Sequence, residues 1–315
     1  MSEIIKVRVQ SRAEMDIVKT TLLKRTFKDI VAVDNLSLHV KQGEVYGFLG
    51  LNGAGKTTTI RMLLGMIKPT SGEFQLFGSS IKSGQMNWND VGYMVEKANA
   101  YPNLTVTENL QIYAKLRHLD GSAVAEIIDR LQLTTYRNKS AGHLSQGNQQ
   151  RLGIAKALMH KPRLLILDEP INGLDPQGIV QVRELLEELT QQGMTVFLSS
   201  HILSEISKLA TRIGIIHKGK LKQELDAGEL EKQLIKKLVL DSTDNAQAAT
   251  VLHQAGHTVE TNDDGLIELT DHNALASPEN VATLLVQKKC PPTQLFTYVE
   301  DLEHYFLRII EEDQV

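Results

Sequence analysis

The chain has 315 residues, 42% hydrophobic and 23% charged, with a formal net charge of −4. Those values suit a soluble globular protein of about two domains, and with no basic face or tail they give no reason to expect nucleic acid. The one cysteine, Cys290, excludes an internal disulfide and suits a reducing cytoplasm.

No apolar stretch reaches the roughly 18 residues that cross a bilayer. Glu3, Lys6 and Arg8 stand where a signal peptide needs an apolar core. Any service to a membrane is therefore expected to run through a partner. Residues 1–17 read as an N-terminal extension. Met15 is a candidate native start, which leaves residues 1–14 as a tail without structural importance.

From about Thr20 to Leu49 apolar and polar residues alternate, with a turn at Lys41-Gln42-Gly43-Glu44. That pattern predicts a small antiparallel sheet leading into a buried strand, Val45–Leu49. A helix follows over 57–65, then a turn at Pro69-Thr70-Ser71-Gly72 and a strand over Glu73–Phe77. Residues from about 103 to 160 read as mainly helical, with N-cap candidates at Thr105 and Thr107. Apolar strands return at 163–167, 195–198 and 213–216, separated by helical segments at about 176–190 and 203–210. Continuous apolar strands alternating with helices predict a parallel sheet covered on both faces. After about Leu230 the order strand (237–240), helix (245–254), strands (257–260 and 266–269), helix (278–287), strand (295–299) suggests a small split-βαβ domain. A last helix runs over 302–310, and the acidic end Glu311-Glu312-Asp313 reads as a solvated terminus. No internal repeat or low-complexity segment interrupts this order.

Between the strand 45–49 and the helix 57–65 lies Gly50-Leu51-Asn52-Gly53-Ala54-Gly55-Lys56-Thr57, followed by Thr58. It satisfies G-x-x-x-x-G-K-[ST], a loop whose glycines bring backbone N–H groups onto phosphate oxygens. Lys56 supplies a point charge near the β- and γ-phosphates, and the Thr57 hydroxyl can ligate Mg²⁺. Alone, the loop fits kinases, GTPases and motors equally. The strand Leu164–Leu167 ends in two carboxylates: Asp168, placed to hold Mg²⁺, and Glu169, placed to polarise an attacking water. Without the loop, that pair would read as a charged helix cap. Leu144-Ser145-Gln146-Gly147-Asn148 precedes an apolar helical stripe, so that Ser145, Gly147 and the helix N-terminus can form an anion site.

Gly50–Thr58, Leu144–Gln150, Leu167-Asp168-Glu169-Pro170, Gly173-Leu174-Asp175-Pro176 and Ser199-Ser200-His201 together resemble the ATP-binding cassette (ABC) ATPases, in order and spacing, over about residues 18–225. The resemblance implies an α/β fold, a phosphate-loop NTPase with a RecA-like core, an antiparallel β subdomain and a helical subdomain at about 97–158. The ATP-binding domain then spans 18–228, and 235–315 forms a small C-terminal α+β accessory domain. It further implies that two copies, or the chain and a paralogue, pair head to tail around two ATP molecules with Mg²⁺. Each ATP would lie between the phosphate loop of one subunit and Ser145 and Gly147 of the other. His201 would contact the γ-phosphate, Asp175 would lie in a loop communicating across the dimer, and Phe27 would stack on adenine. Phe27 also reads as a plain core phenylalanine.

Two positions depart from the family pattern. Glu96 stands where the family has a glutamine; either side chain offers an oxygen to Mg²⁺. The carboxylate adds a charge that should pull on the metal and repel the γ-phosphate. The signature reads Leu-Ser-Gln-Gly-Asn, where the family has Gly and Gln in the third and fifth places. Glu96 and the segment Lys97–Thr105 look like the subgroup serving bacitracin-resistance and lantibiotic-immunity exporters. The expected role is a cytoplasmic ATPase subunit, peripheral on the inner membrane face through a separately encoded permease, exporting an antimicrobial peptide or similar amphipathic compound. The competing roles are a soluble ABC mechanoenzyme and a nucleotide-gated regulatory subunit. Only 112 positions separate Lys56 from Asp168, too few for a repair-type coiled coil, and the intact Lys56, Asp168, Glu169 and His201 argue against lost catalysis. The C-terminal segment reads equally as regulatory, dimer-supporting or merely stabilising.

Overall fold

The computed structural model describes residues 15–84, 86–96 and 99–311. The expected tail at 1–14, the positions Lys97 and Ala98 beside Glu96, and the acidic Glu312 and Asp313 lie outside the described residues. In chain order the elements are β1 (Asp16–Phe27), β2 (Ile30–Lys41), β3 (Val45–Leu49), α1 (Lys56–Leu63), β4 (Ser71–Leu76), β5 (Ser79–Ser80), β6 (Val91–Met94), α2 (Val106–Leu116), α3 (Ser122–Arg130) and α4 (Gln146–Leu158). They continue with β7 (Leu164–Asp168), α5 (Pro176–Gln191), β8 (Thr195–Ser200), α6 (Leu203–Ile206), β9 (Arg212–His217), β10 (Lys220–Asp226) and α7 (Ala227–Gln233). The remainder is β11 (Lys236–Ser242), α8 (Asn245–Gln254), β12 (Val259–Thr261), β13 (Ile267–Leu269), α9 (His272–Ala276), α10 (Pro278–Gln287), β14 (Pro292–Val299) and α11 (Leu302–Glu311). The chain divides between Gly228 and Glu229 into two compact units.

In the first unit a six-stranded sheet has the order β10-β9-β3-β8-β7-β6, parallel throughout except for the β9–β10 hairpin. Every residue of β3, β7 and β8 is buried, which is why their central stretches read as continuous apolar runs and not as alternation. A second, antiparallel sheet has the order β2-β1-β4-β5. One hydrophobic core joins the two sheets, with Val18, Leu38 and Phe74 packing in the same cluster as Phe48, Ile166 and Phe197. Ile17 is buried in β1, so the sheet takes in the last two residues of the segment expected to be extension.

Local signals set the helix starts. Thr105 caps α2 by accepting from the Glu108 N–H at 3.1 Å, while its own N–H donates to the Glu108 carboxylate at 2.7 Å. The Thr105 N–H and hydroxyl, both donating to the carboxylate, hold the Glu108 carboxyl below its ordinary range. Thr107 does not cap; its hydroxyl donates to the Arg137 carbonyl. Asp175 caps α5 through the Gly178 N–H at 2.9 Å, with Pro176 in the first helical position.

The second unit is a four-stranded sheet of order β12-β13-β11-β14, antiparallel at each pairing, the arrangement of a split βαβ motif. Leu238, Leu240, Ile267 and Leu269 pack with Ala248 and Leu252 of α8 and Val281 and Leu285 of α10. The short helix α9 has no counterpart among the elements expected from sequence. Asp271 caps it by accepting from the Ala274 N–H, and Pro278 bars Ser277 from helical geometry, so the turn ends there. β12 starts two residues later than expected. His257 closes the end of α8 with its N–H on the Leu252 carbonyl and pairs its ring with Asp271.

Candidate functional site

The carboxyl ends of β3, β7 and β8 lie side by side, and each ends in one of the sequence landmarks. β3 runs into the loop Gly50–Gly55, which turns into α1. Gly55 is the N-cap of α1 at φ 109°, and no side chain caps the helix. A side chain there would collide with the Ala32 carbonyl oxygen, so only glycine permits this entry. The first-turn N–H groups of Lys56, Thr57 and Thr58 are consequently left for an anion in the loop. Leu51, Asn52 and Gly53 are exposed at the loop tip, and Ala54 is buried beneath it.

Lys56 is 6% exposed. Its ammonium donates to the carbonyls of Gly50 at 2.6 Å and Leu51 at 3.3 Å, and stands 3.3 Å from Glu169 Oε1. Thr57 donates its hydroxyl to Asp168 Oδ2 at 2.9 Å. The other Asp168 oxygen accepts from the Ser199 hydroxyl at 2.5 Å, a pairing set by the β7–β8 register, which places Asp168 opposite Ser199. Glu169 adopts φ +51°, and its N–H donates to both the carbonyl and the hydroxyl oxygen of Ser199, at 3.2 and 3.1 Å. Its second carboxylate oxygen lies 2.9 Å from His201 Nδ1. Lys56 and His201 thus meet on the Glu169 carboxylate, and Thr57 and Ser199 meet on the Asp168 carboxylate beside it.

The other expected residues are placed elsewhere. Ser145 is the exposed N-cap of α4, accepting from the Asn148 N–H at 3.3 Å, and Gly147 sits in the first turn of that helix. Asp175 is exposed at the start of α5. Phe27 is 38% exposed at the end of β1, under the Arg25 guanidinium at 4.3 Å, so it is no core residue. Glu96 pairs with Arg61 of α1 at 2.7 Å, not with Thr57 or Asp168.

The donor set suits Mg²⁺ with a triphosphate. Thr57 Oγ1 and Asp168 Oδ2 are adjacent hard oxygens, and Mg²⁺ characteristically takes one or two protein ligands and fills its octahedron with water and phosphate oxygens. Three participants escape sequence reasoning: Ser199, Arg61 and Gln150, the last of which reaches the Glu169 carbonyl from α4. Ser199 is within reach of such reasoning, because it faces Asp168 by strand register alone.

The family model for ABC transporter matches residues 33–172. The bacitracin transport ATP-binding protein BcrA of Bacillus licheniformis is 42% identical over 299 residues, 93% of this chain and 97% of that protein. The lantibiotic transport ATP-binding protein SrtF of Streptococcus pyogenes is 35% identical over 220 residues, 69% of this chain and 95% of its own length. Among solved structures, the dimeric post-hydrolysis state of the ATP-binding cassette MJ0796 bound to ADP and Pi matches with a TM-score of 0.62 at 25% identity. That match covers 67% of this chain and 98% of MJ0796.

Proposed function

The chain belongs to the ABC transporter family as an ATP-binding, ATP-hydrolysing subunit, and from that premise we propose that it drives export of an antimicrobial peptide or similar amphipathic compound through a separately encoded permease. The cargo class rests on the similarity to BcrA and SrtF, whose names state bacitracin and lantibiotic transport. Among the described residues no helix is long and apolar enough to cross a membrane, in keeping with a subunit that reaches the membrane through a partner.

One observation carries the chemistry: Lys56, Glu169 and His201 form a connected set beside the Thr57–Asp168 pair. In this reading the loop N–H groups and Lys56 bind the β- and γ-phosphates, while Thr57 and Asp168 hold Mg²⁺, which neutralises phosphate charge when bound. Glu169 polarises the attacking water. His201 has Nδ1 engaged by Glu169, which leaves Nε2 for the γ-phosphate. Phe27 offers a ring face to adenine, and such stacking gives affinity with little base selectivity.

Ser145, Gly147 and Asp175 stand on exposed helix starts and belong, in this reading, to a nucleotide held by a second copy packed head to tail. The dimer formed by the MJ0796 cassette supports pairing of this kind within the family. Closure on ATP and reopening after hydrolysis would reach the permease through the helical segment that follows Glu96. SrtF matches over 95% of its own length while covering 69% of this chain, which supports an accessory role for part of the chain, read here as residues 229–315, outside the chemistry. Detergent extraction followed by co-purification tests the assignment: a stable integral membrane partner and ATPase activity are expected, whereas association with ribosomes or DNA would contradict it.

A further inference from the structure

Gln150 lies in the second turn of α4 and is 6% exposed. Its amide nitrogen donates to two backbone carbonyls, those of Glu169 and Asn172, each at 3.4 Å. Turning the amide over would set its oxygen against both carbonyls, so the NH₂ group must face them. The amide oxygen is buried without a partner among the described residues, a cost that the two carbonyl bonds must offset.

Those bonds fall on an unusual peptide. Glu169 is in the left-handed region at φ +51°, a conformation that a non-glycine residue keeps only when its surroundings hold it. From one side β8 holds its N–H through Ser199. From the other side α4 holds its C=O through Gln150. The same helix start touches the following loop again: the end of the Gln146 side chain lies over Gly173, and Gly147 lies against the Leu174 side chain. Glu169 therefore takes its backbone direction partly from α4, the helix whose first turn carries Gly147 and whose cap is Ser145.

We infer that Gln150 is a positioning residue for ATP hydrolysis, aiming the Glu169 carboxylate and tying its posture to the position of α4. The inference rests on the reading in which Glu169 polarises water in its own chain's site while Ser145 and Gly147 meet the nucleotide of the partner. Under that reading, a nucleotide that seats α4 at one site also sets Glu169 at the other, through two hydrogen bonds from a single side chain.

Two variants of near-equal shape test it in the full chain. Gln150→Met removes both N–H donors; Gln150→Glu replaces them with an oxygen facing two carbonyls. Expected for each is a fall in kcat of roughly ten- to a hundredfold, the scale of a misplaced catalytic group. ATP binding, followed with a fluorescent ATP analogue, should stay within about twofold of the unaltered protein. The Hill coefficient for ATP, expected to exceed one in the unaltered protein under this reading, should fall towards one. If Gln150→Met does not fold, Gln150→Glu decides. Wild-type kcat in a folded variant would overturn the inference, as would equal losses of binding and kcat, or an unchanged Hill coefficient. If Glu169→Gln itself left turnover intact, the underlying reading would fail, and that outcome is separate from the failure of Gln150.

Discussion

Lys56 Nζ and Glu169 Oε1 stand 3.3 Å apart, both largely buried. The same carboxylate reaches His201 with its other oxygen, so one side chain links the loop cation to the imidazole. Under the proposed reading, a phosphate entering the loop would compete with Glu169 for Lys56. Binding would thereby free the carboxylate for water at the moment the substrate is in place.

Replacing Glu169 with glutamine keeps the shape and removes the charge. Hydrolysis should drop by about 10²–10⁴-fold, the usual contribution of a general base. ATP should bind at least as tightly, because Lys56 loses its internal counter-charge. Single-turnover hydrolysis and equilibrium binding measure the two effects, and size-exclusion chromatography with and without ATP should show an ATP-dependent dimer. A variant that stays monomeric in ATP would speak against the sandwich.

Lys56→Ala removes the charged donor and leaves the Gly50 carbonyl without its 2.6 Å partner. Under the proposed reading Lys56 also donates to phosphate, and losing such a charge-assisted bond costs about 1.5–3 kcal/mol, so ATP affinity should fall roughly ten- to a hundredfold and hydrolysis should vanish. Normal turnover in this variant would refute the phosphate-loop assignment.

Much of this site is legible in the sequence because its parts are local. The loop, and Asp168 and Glu169 after a buried strand, each occupy a handful of adjacent positions. The parallel core is legible because β3, β7 and β8 each carry a continuous apolar stretch, broken by polar residues only at the start of β8 and at the strand ends that meet the site. What sequence does not supply is contact between distant positions. Gln150 reads as one more polar residue on a helix until the fold sets it under Glu169. Glu96 reads as a metal ligand, and nothing in the sequence signals that Arg61, 35 positions earlier, pairs with its carboxylate. α9 escapes notice because its five residues are too few for helical periodicity to register against Ser277-Pro278.

The Arg61–Glu96 pair is solvent-exposed, so Glu96→Gln should cost no more than about 1 kcal/mol of stability. ATP binding and basal hydrolysis should persist, while the Mg²⁺ concentration needed for half-maximal ATP binding shifts, because the carboxylate no longer divides between Arg61 and the metal. Titrating Mg²⁺ against a fluorescent ATP analogue reads the shift. Complete loss of ATP binding would mean that this segment has another role.

In the second unit, Arg308 holds the Glu300 carboxyl below its ordinary value of 4.5; burial opposes this, and the Ile235 N–H adds to it. A carboxyl depressed in the folded state contributes stability above its unfolded pKa and loses it as pH falls through the folded value. The melting-temperature advantage of the unaltered protein over Glu300→Gln should therefore be full above about pH 5 and shrink as pH drops below about 4.5. A difference independent of pH would contradict the pairing with Arg308.

If two copies share each nucleotide, a crystal structure of Glu169→Gln with ATP and Mg²⁺ should capture the shared state. The Ser145 hydroxyl and Gly147 N–H of one copy should then lie within about 2.7–3.2 Å of a γ-phosphate held by Lys56 of the other. A loop filled with ATP while Ser145 and Gly147 stand far from any triphosphate in every assembly would rule the shared site out.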